Sequence, residues 1–182
     1  MQNYFELFSL EVGFDVDLTA LEDAYQAQIS KFHPDKFALK SDKEKSLALQ
    51  NTSLINTAFD TLNSALLRAT YLLDLQGINA FDEKDTQMDI DFLMNQIALR
   101  EQLESIELSK NELDLDDFTD NIKQKIKQNI EQISHFFKAE EFNKIKNLSS
   151  IKFIKYNEEL YKIILSYGKP GSNRHEKVLI KD

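Results

Sequence analysis

The amino-acid sequence predicts an all-helical protein built from two modules. The chain contains only four glycines and two prolines in 182 residues, so it lacks the turn residues that connect the many short strands of a sandwich or barrel. Its apolar residues recur in long segments at the three- and four-residue spacing of amphipathic helices. We therefore predict a helical hairpin module followed by a three-helix bundle.

The first module, residues 1–77, is predicted to centre on two antiparallel helices. Asp17 or Thr19 supplies a capping oxygen for the first of them. That helix must end near His33, because Pro34 disfavours the helical conformation at the residue before it and has no N–H for the helical ladder. The chain is therefore predicted to reverse direction just after this proline.

Three further features complete the first module. A short helix is predicted at residues 4–10, and the second hairpin helix begins near Ser41. Helical spacing then continues to Gly77, where a glycine after the last apolar position is typical of a helix end. The residues of the second hairpin helix predicted to face the core are Leu47, Leu54, Ile55, Ala58, Phe59 and Leu62.

The rest of the chain is divided by composition. Residues 78–88 are polar and acidic with weak periodicity, and they are predicted to link the modules. Residues 89–168 form the second module, the predicted three-helix bundle. Residues 169–182 show no clear apolar periodicity, and they are predicted to form a flexible tail.

Helical patterns in the second module fall at about residues 89–109, 115–138 and 139–167. The acidic residues 114–117 precede or open the second pattern. Because a helix dipole is positive at its start, these acids are predicted to cap that helix.

The first helix of the second module carries two apolar stripes where a bundle helix needs one. At about 100° per residue, one stripe contains Phe92, Leu99, Leu103 and Ile106, and the nearly opposite one contains Ile90, Leu93, Met94 and Ile97. Two interpretations stay open from spacing alone. The second stripe is either a binding surface, which the adaptable Met94 suits, or core packed against residues 65–81.

The residues His33, Pro34 and Asp35 lie where the hairpin turns. Because proline fixes the backbone there, Asp35 is predicted to project from a stiff corner and to receive an arginine from another molecule. Such a contact is stronger when little conformational entropy is lost in forming it. In the alternative interpretation, Pro34 only breaks a helix and Asp35 caps the next one.

Three segments carry a family resemblance: Lys31-Phe32-His33-Pro34-Asp35-Lys36-Phe37, Ile55-Asn56-Thr57-Ala58-Phe59 and Arg68-Ala69-Thr70-Tyr71-Leu72-Leu73. Together they resemble a J-domain, and the spacing of the chain resembles the HscB family. The resemblance implies that His33, Pro34 and Asp35 bind an HscA-type, DnaK-class chaperone and stimulate its ATP hydrolysis. Lys31, Lys36 and Lys40 lie near these residues and are predicted to attract the chaperone. J-domains usually carry a basic face, but residues 18–30 here contain no Lys or Arg, which predicts weak electrostatic steering.

The same resemblance assigns a client surface to the second module. In the family this surface binds an IscU-type iron-sulfur scaffold, which is delivered to the chaperone in support of cluster assembly. The residues implied here are Leu93, Met94, Ile97, Glu101 and Phe153. Two positions where the family tends to place acids are Ala98 and Ser105, so polar rim contacts are predicted to be lost while the apolar centre is kept.

Composition argues against several other classes of protein. The net charge of -9 disfavours a nucleic-acid partner. No apolar run approaches the ~20 residues that cross a membrane, so we expect a cytoplasmic protein. With three dispersed histidines and no cysteine, no metal, cofactor or enzymatic activity is expected. Two alternatives stay open: a J-domain protein with a different client, and a helical interaction or oligomerisation protein that self-associates through residues 90–97.

Overall fold

A computed structural model describes residues 3–37, 39–79 and 90–147, together with residues 154 and 157. All regular structure within these residues is helical, which confirms the predicted fold class. The chain divides into two compact units, Met1–Gly77 and Ile78–Asp182.

The first unit is built around one long helix. The helices are α1 (Tyr4–Leu7), α2 (Leu18–Lys31), α3 (Pro34–Phe37), α4 (Asp42–Asn63) and α5 (Ala65–Leu75). Each of the other four packs against α4, and α2 and α4 form the predicted hairpin. The buried apolar side chains of this unit are Phe5, Phe8, Phe14, Leu21, Ala48, Ile55, Ala58, Leu62, Leu66, Ala69, Leu72 and Leu73.

Polar side chains fix where the two hairpin helices begin. Of the two candidate caps for α2, Asp17 is the one used, and its carboxylate accepts the Thr19 N–H at 2.9 Å. At α4, Ser41 and Glu44 form a reciprocal capping box. Hydrogen bonds from the Ser41 hydroxyl and the Ser41 backbone N–H hold the pKa of Glu44 below its ordinary value.

The predicted helix end at Gly77 is confirmed. Gly77 follows the last turn of α5 with a φ of +73°, and its N–H donates to the Asp74 carbonyl at 2.9 Å. A residue with a side chain would be strained in this left-handed conformation, so glycine is the residue that ends the helix at least cost.

Other details of the first unit differ from the prediction. The short helix predicted at residues 4–10 ends at Leu7, and Ser64 separates α4 from α5 where one continuous pattern was predicted. Leu47 and Leu54, predicted to face the core, are 57% and 48% exposed. Each precedes a buried residue of α4 by one position, which places it about 100° around the helix from the core.

The second unit begins with two long helices joined by a tight turn. They are α6 (Ile90–Ser109) and α7 (Glu112–Lys138), and the turn contains Lys110 with a φ of +53°. Their shared core contains Leu99, Leu103, Ile106, Phe118, Ile122 and Ile126. The helix α7 is capped by Asn111, whose side chain accepts the Leu113 N–H, so residues 114–117 do not supply the N-cap. Asp114 does lie in the first turn, where the helix dipole favours an acid.

The third helical pattern of this unit is described only in part. The helix α8 (Phe142–Asn147) packs against α7, and Ile154 and Asn157 are helical and fully buried. Most of the predicted helix at residues 139–167 beyond α8, most of the predicted linker and the tail at 169–182 lie outside the described residues. None of the described helices is long and apolar enough to cross a membrane.

Candidate functional site

The His-Pro-Asp corner begins a one-turn helix and is not the loop predicted from sequence. α2 ends at Lys31, and Pro34 is the first residue of α3. Proline suits this position because the first helical N–H has no partner to lose and its fixed φ is already helical. The His33 carbonyl accepts the Lys36 N–H at 3.0 Å, so the backbone of Asp35 is held in a helical turn that packs on α4.

Basic side chains gather around this corner. Lys31 and Lys36 are exposed, and Lys40 lies exposed just before α4. The Nζ of Lys31 donates to the Gln28 side chain at 3.3 Å, which leaves the ammonium at the surface. His33 is also exposed, while only the backbone of Pro34 and Asp35 is described.

Behind the corner, aromatic contacts brace the hairpin. The rings of Tyr25 on α2 and Phe59 on α4 stack with centroids 4.2 Å apart. The Tyr25 hydroxyl also donates to the side-chain oxygen of Asn56 at 3.1 Å. Asn56 and Phe59 both belong to the second motif segment, so that segment holds the two hairpin helices in register.

A buried cation in the first unit was not assigned a role by the sequence analysis. Arg68 is 2% exposed, and its Nε donates to the Phe14 carbonyl at 2.6 Å. A second guanidinium nitrogen donates to the Leu62 carbonyl, and the group lies 5.1 Å from the centre of the Phe14 ring. The one indication of its burial in the sequence was the position of Arg68 within an otherwise apolar run.

The two stripes of α6 are both present, and they face different surroundings. Phe92, Leu99, Leu103 and Ile106 are 6 to 8% exposed, as core residues should be. Ile90, Leu93, Met94 and Ile97 are 74%, 38%, 61% and 49% exposed. Within the second unit this stripe is therefore not part of the core, and we call it the α6 apolar face.

Most of the predicted client residues share this face. Leu93, Ile97 and Glu101 are four residues apart along α6, and Met94 lies beside them. Phe153 lies outside the described residues. The core side of the same helix also contains Gln96, which is 7% exposed and whose side-chain nitrogen has no hydrogen-bond partner among the described residues.

Titratable side chains form no metal-binding cluster among the described residues. Both candidate surfaces consist of groups suited to binding another protein: a charged corner in the first unit and an apolar face in the second.

Comparisons with known proteins agree with this description. A family model described as the HSCB C-terminal oligomerisation domain matches residues 88–155. A co-chaperone protein HscB homolog of Vibrio cholerae is 46% identical over 104 residues, which is 57% of this chain and 61% of that protein. The co-chaperone protein HscB of Proteus mirabilis is 46% identical over 107 residues, 59% of this chain and 62% of that protein. These alignments thus span about six tenths of each relative's own length.

Solved structures extend the similarity over nearly the whole chain. The chaperone HscB from Vibrio cholerae has 33% sequence identity and a TM-score of 0.80, covering 90% of this chain and 96% of that one. The human co-chaperone protein HscB has 28% identity and a TM-score of 0.83, covering 91% and 82%. The helical units and the His-Pro-Asp corner define a co-chaperone of the J-domain class. Within that class, the chain belongs to the HscB family.

Proposed function

We propose that this chain stimulates the ATPase of an HscA-type, DnaK-class chaperone and delivers to it an IscU-type iron-sulfur scaffold protein. The observation that carries the proposal is the His33-Pro34-Asp35 corner, held in a helical turn at the end of a braced hairpin. The chain acts by binding, in the cytoplasm, and ATP is hydrolysed on the partner.

The corner acts on the chaperone through a pre-organised charge. Asp35 offers its carboxylate to a cation of the ATPase, while Lys31 and Lys36 attract acidic groups beside it. Since the backbone is fixed before contact, little conformational entropy is lost on binding. The hydrogen bond from the Lys36 backbone N–H to the His33 carbonyl supports this arrangement, as does the packing of α3 on α4.

The substitution Asp35→Asn tests the corner. It keeps the size of the side chain but removes its charge, so we expect ATP hydrolysis by the chaperone to fall to the basal rate. Steady-state phosphate release measures the effect, with Asp60→Asn as the matched control because Asp60 is an exposed aspartate of α4. Unchanged stimulation by a folded Asp35→Asn chain would refute the role of the corner.

The scaffold binds the α6 apolar face. Exposed apolar residues grouped on one helical face favour a protein partner, and Met94 can adapt its flexible side chain to that partner. Glu101 continues the face as a polar rim, where contacts select the partner more than they add affinity. Phe153 completes the proposed contact set.

A triple substitution, Leu93→Ala, Met94→Ala and Ile97→Ala, tests this surface. We expect scaffold affinity to fall by roughly 2 to 4 kcal/mol in calorimetry if these residues are a hot spot. The melting temperature should stay close to that of the parent chain, because the three side chains are exposed. Leu108→Ala is the matched control, since Leu108 is an 80% exposed leucine of the same helix. Intact binding with a lowered melting temperature would contradict the proposal.

Self-association is the second candidate role for the same face. The description of the matching family model as an oligomerisation domain favours it, since residues 88–155 include all of α6. Sedimentation of the parent chain and the triple variant distinguishes the roles. A dimer that the triple variant abolishes supports self-association, whereas a monomer that loses only scaffold binding supports the client role. Binding of another client with no affinity for an IscU-type scaffold would support a J-domain protein with a different client.

A further inference from the structure

A cavity lies at the turn between α6 and α7, away from the α6 apolar face. Its volume is about 310 Å³, at the lower end of the range for ligand-sized pockets. The apolar part of its lining is formed by Leu103, Ile106 and Leu115, and the polar part by Glu107, Lys110, Asn111 and Glu112. An apolar recess with carboxylates at its edge suits a ligand that combines apolar and cationic groups.

The surroundings of the cavity are strongly acidic. Residues 101–122 contain eight acidic residues and a single basic residue, Lys110. Charge complementarity therefore favours an occupant with positive charges beside its apolar groups, and disfavours an acidic one.

One segment of this chain has that chemistry. Residues 177–181 read Lys-Val-Leu-Ile-Lys, three consecutive branched apolar residues between two lysines. Residues 169–182 contain four Lys or Arg against two acids, although the whole chain has a net charge of -9. The proposed co-chaperone function does not use this segment.

We infer that residues 177–181 dock in the cavity at the α6–α7 turn of their own chain. Val178, Leu179 and Ile180 cover the apolar recess formed by Leu103, Ile106 and Leu115, while Lys177 and Lys181 pair with Glu107 and Glu112. Such rim pairs add only a few tenths of a kcal/mol each, so the apolar contact supplies most of the affinity and the charges select the segment.

The chain is long enough for this contact. The segment lies beyond Asn157, the last described residue, with residues 158–176 between them. With residues 158–167 helical, as the sequence predicts, and residues 168–176 extended, that connection reaches on the order of 45 Å. The helix α7, with 27 residues, is about 40 Å long, so the connection exceeds it.

A spin label near the segment tests the contact directly. The chain has no cysteine, so Asp182→Cys gives a single attachment site for a nitroxide. In the full chain we expect the backbone amide NMR signals of Leu113 and Leu115 to lose most of their intensity, relative to the same sample with the nitroxide reduced. Signals near Leu21, in the other unit, serve as the reference for non-specific broadening.

Two sets of variants separate docking from random encounter. Val178→Ser, Leu179→Ser and Ile180→Ser together should restore the Leu113 and Leu115 signals. Glu107→Lys with Glu112→Lys should also restore them, and adding Lys177→Glu with Lys181→Glu should bring the broadening back. Glu107 and Glu112 are exposed, so their substitution leaves the core shared by α6 and α7 untouched.

Three results would overturn the inference. The first is an absence of selective broadening in the labelled parent chain. The second is broadening that the triple serine variant leaves unchanged. The third comes from mixing ¹⁵N-labelled chain without nitroxide and unlabelled chain with nitroxide: equal broadening there would assign the cavity to a second copy.

Discussion

Arg68 combines a buried charge with two backbone carbonyls as hydrogen-bond acceptors. The carbonyls belong to Phe14, before α2, and to Leu62, in the last turn of α4. One side chain therefore fastens the segment before α2 to the end of α4. A hydrogen bond from a charged donor stabilises more than a neutral one, and its loss leaves buried carbonyl oxygens unpaired.

The substitution Arg68→Met should lower the free energy of unfolding by roughly 2 to 4 kcal/mol, because it removes the donors while keeping an unbranched apolar chain. Urea denaturation followed by circular dichroism measures the loss. The control is Arg100→Met, since Arg100 is exposed on α6. An equal, small effect of both substitutions would mean that Arg68 contributes nothing special to stability.

Burial of single residues was predictable from the sequence only where the helical angle was unambiguous. In α6, angular position around the helix correctly placed Leu99 on the buried side and Leu93 on the exposed side. In α4, Leu54 and Ile55 are adjacent and both apolar, so spacing alone could not decide which faces the core. The buried roles of Arg68 and Gln96 were also missed, because polar residues on a core face are recognised only once their tertiary neighbours are known.

At the level of helices, the start of α4 depends on a reciprocal pair of hydrogen bonds. The Ser41 backbone N–H donates to the Glu44 carboxylate at 3.0 Å, and the Glu44 backbone N–H donates to the Ser41 hydroxyl oxygen at 3.4 Å. The Ser41 hydroxyl also donates to the Glu44 carboxylate, at 2.7 Å. α4 is also the helix on which α1, α2, α3 and α5 pack. Its capped end directly follows the segment that contains the His-Pro-Asp corner.

Acid should loosen this end of α4. Since the pKa of Glu44 is lowered in the folded chain, its contribution to stability is complete above the ordinary pKa of glutamate and is lost as the pH falls through the lowered value. We expect Glu44→Gln to flatten the dependence of the unfolding free energy on pH in that acidic range. Urea denaturation across the range measures this, with the exposed Glu131→Gln as the control. An acid limb as steep as that of the parent chain would contradict the assignment.

Helix boundaries were predictable where one residue type dominates the chemistry. Gly77 ends α5 because only glycine adopts its positive φ without strain. The start of α7 was missed because several candidate capping residues follow one another, and the acids at residues 114–117 obscured the better-placed Asn111. The helix α3 was missed because Pro34 has two roles: it ends α2 and begins the next helical turn. A proline in the sequence indicates where a helix ends, but it does not by itself indicate that another begins.

At the scale of the whole molecule, the division into two compact units has a consequence for stability. The buried side chains of Met1–Gly77 and those of Ile78–Asp182 belong to separate units. A cavity made in one core should therefore destabilise the unit that contains it more than the other.

The substitution Ile122→Ala is suited to that measurement, because Ile122 is fully buried in the core shared by α6 and α7. We expect a loss of roughly 2 to 5 kcal/mol, seen as faster hydrogen exchange in α6 and α7. Amides of α4 should keep their protection. Equal loss of protection in both units would mean that the chain unfolds as one cooperative body.

The stacked pair Tyr4 and Tyr71 provides a spectroscopic probe of the first unit. Their rings lie 4.5 Å apart and nearly parallel, and the Tyr71 hydroxyl oxygen accepts the Tyr4 backbone N–H at 3.0 Å. The chain contains no tryptophan to mask tyrosine absorption and emission. Near-ultraviolet circular dichroism can therefore follow the detachment of α1 from α5 without any added dye. The contribution of this pair will be absent in Tyr4→Leu, while that of the Tyr25–Phe59 stack remains.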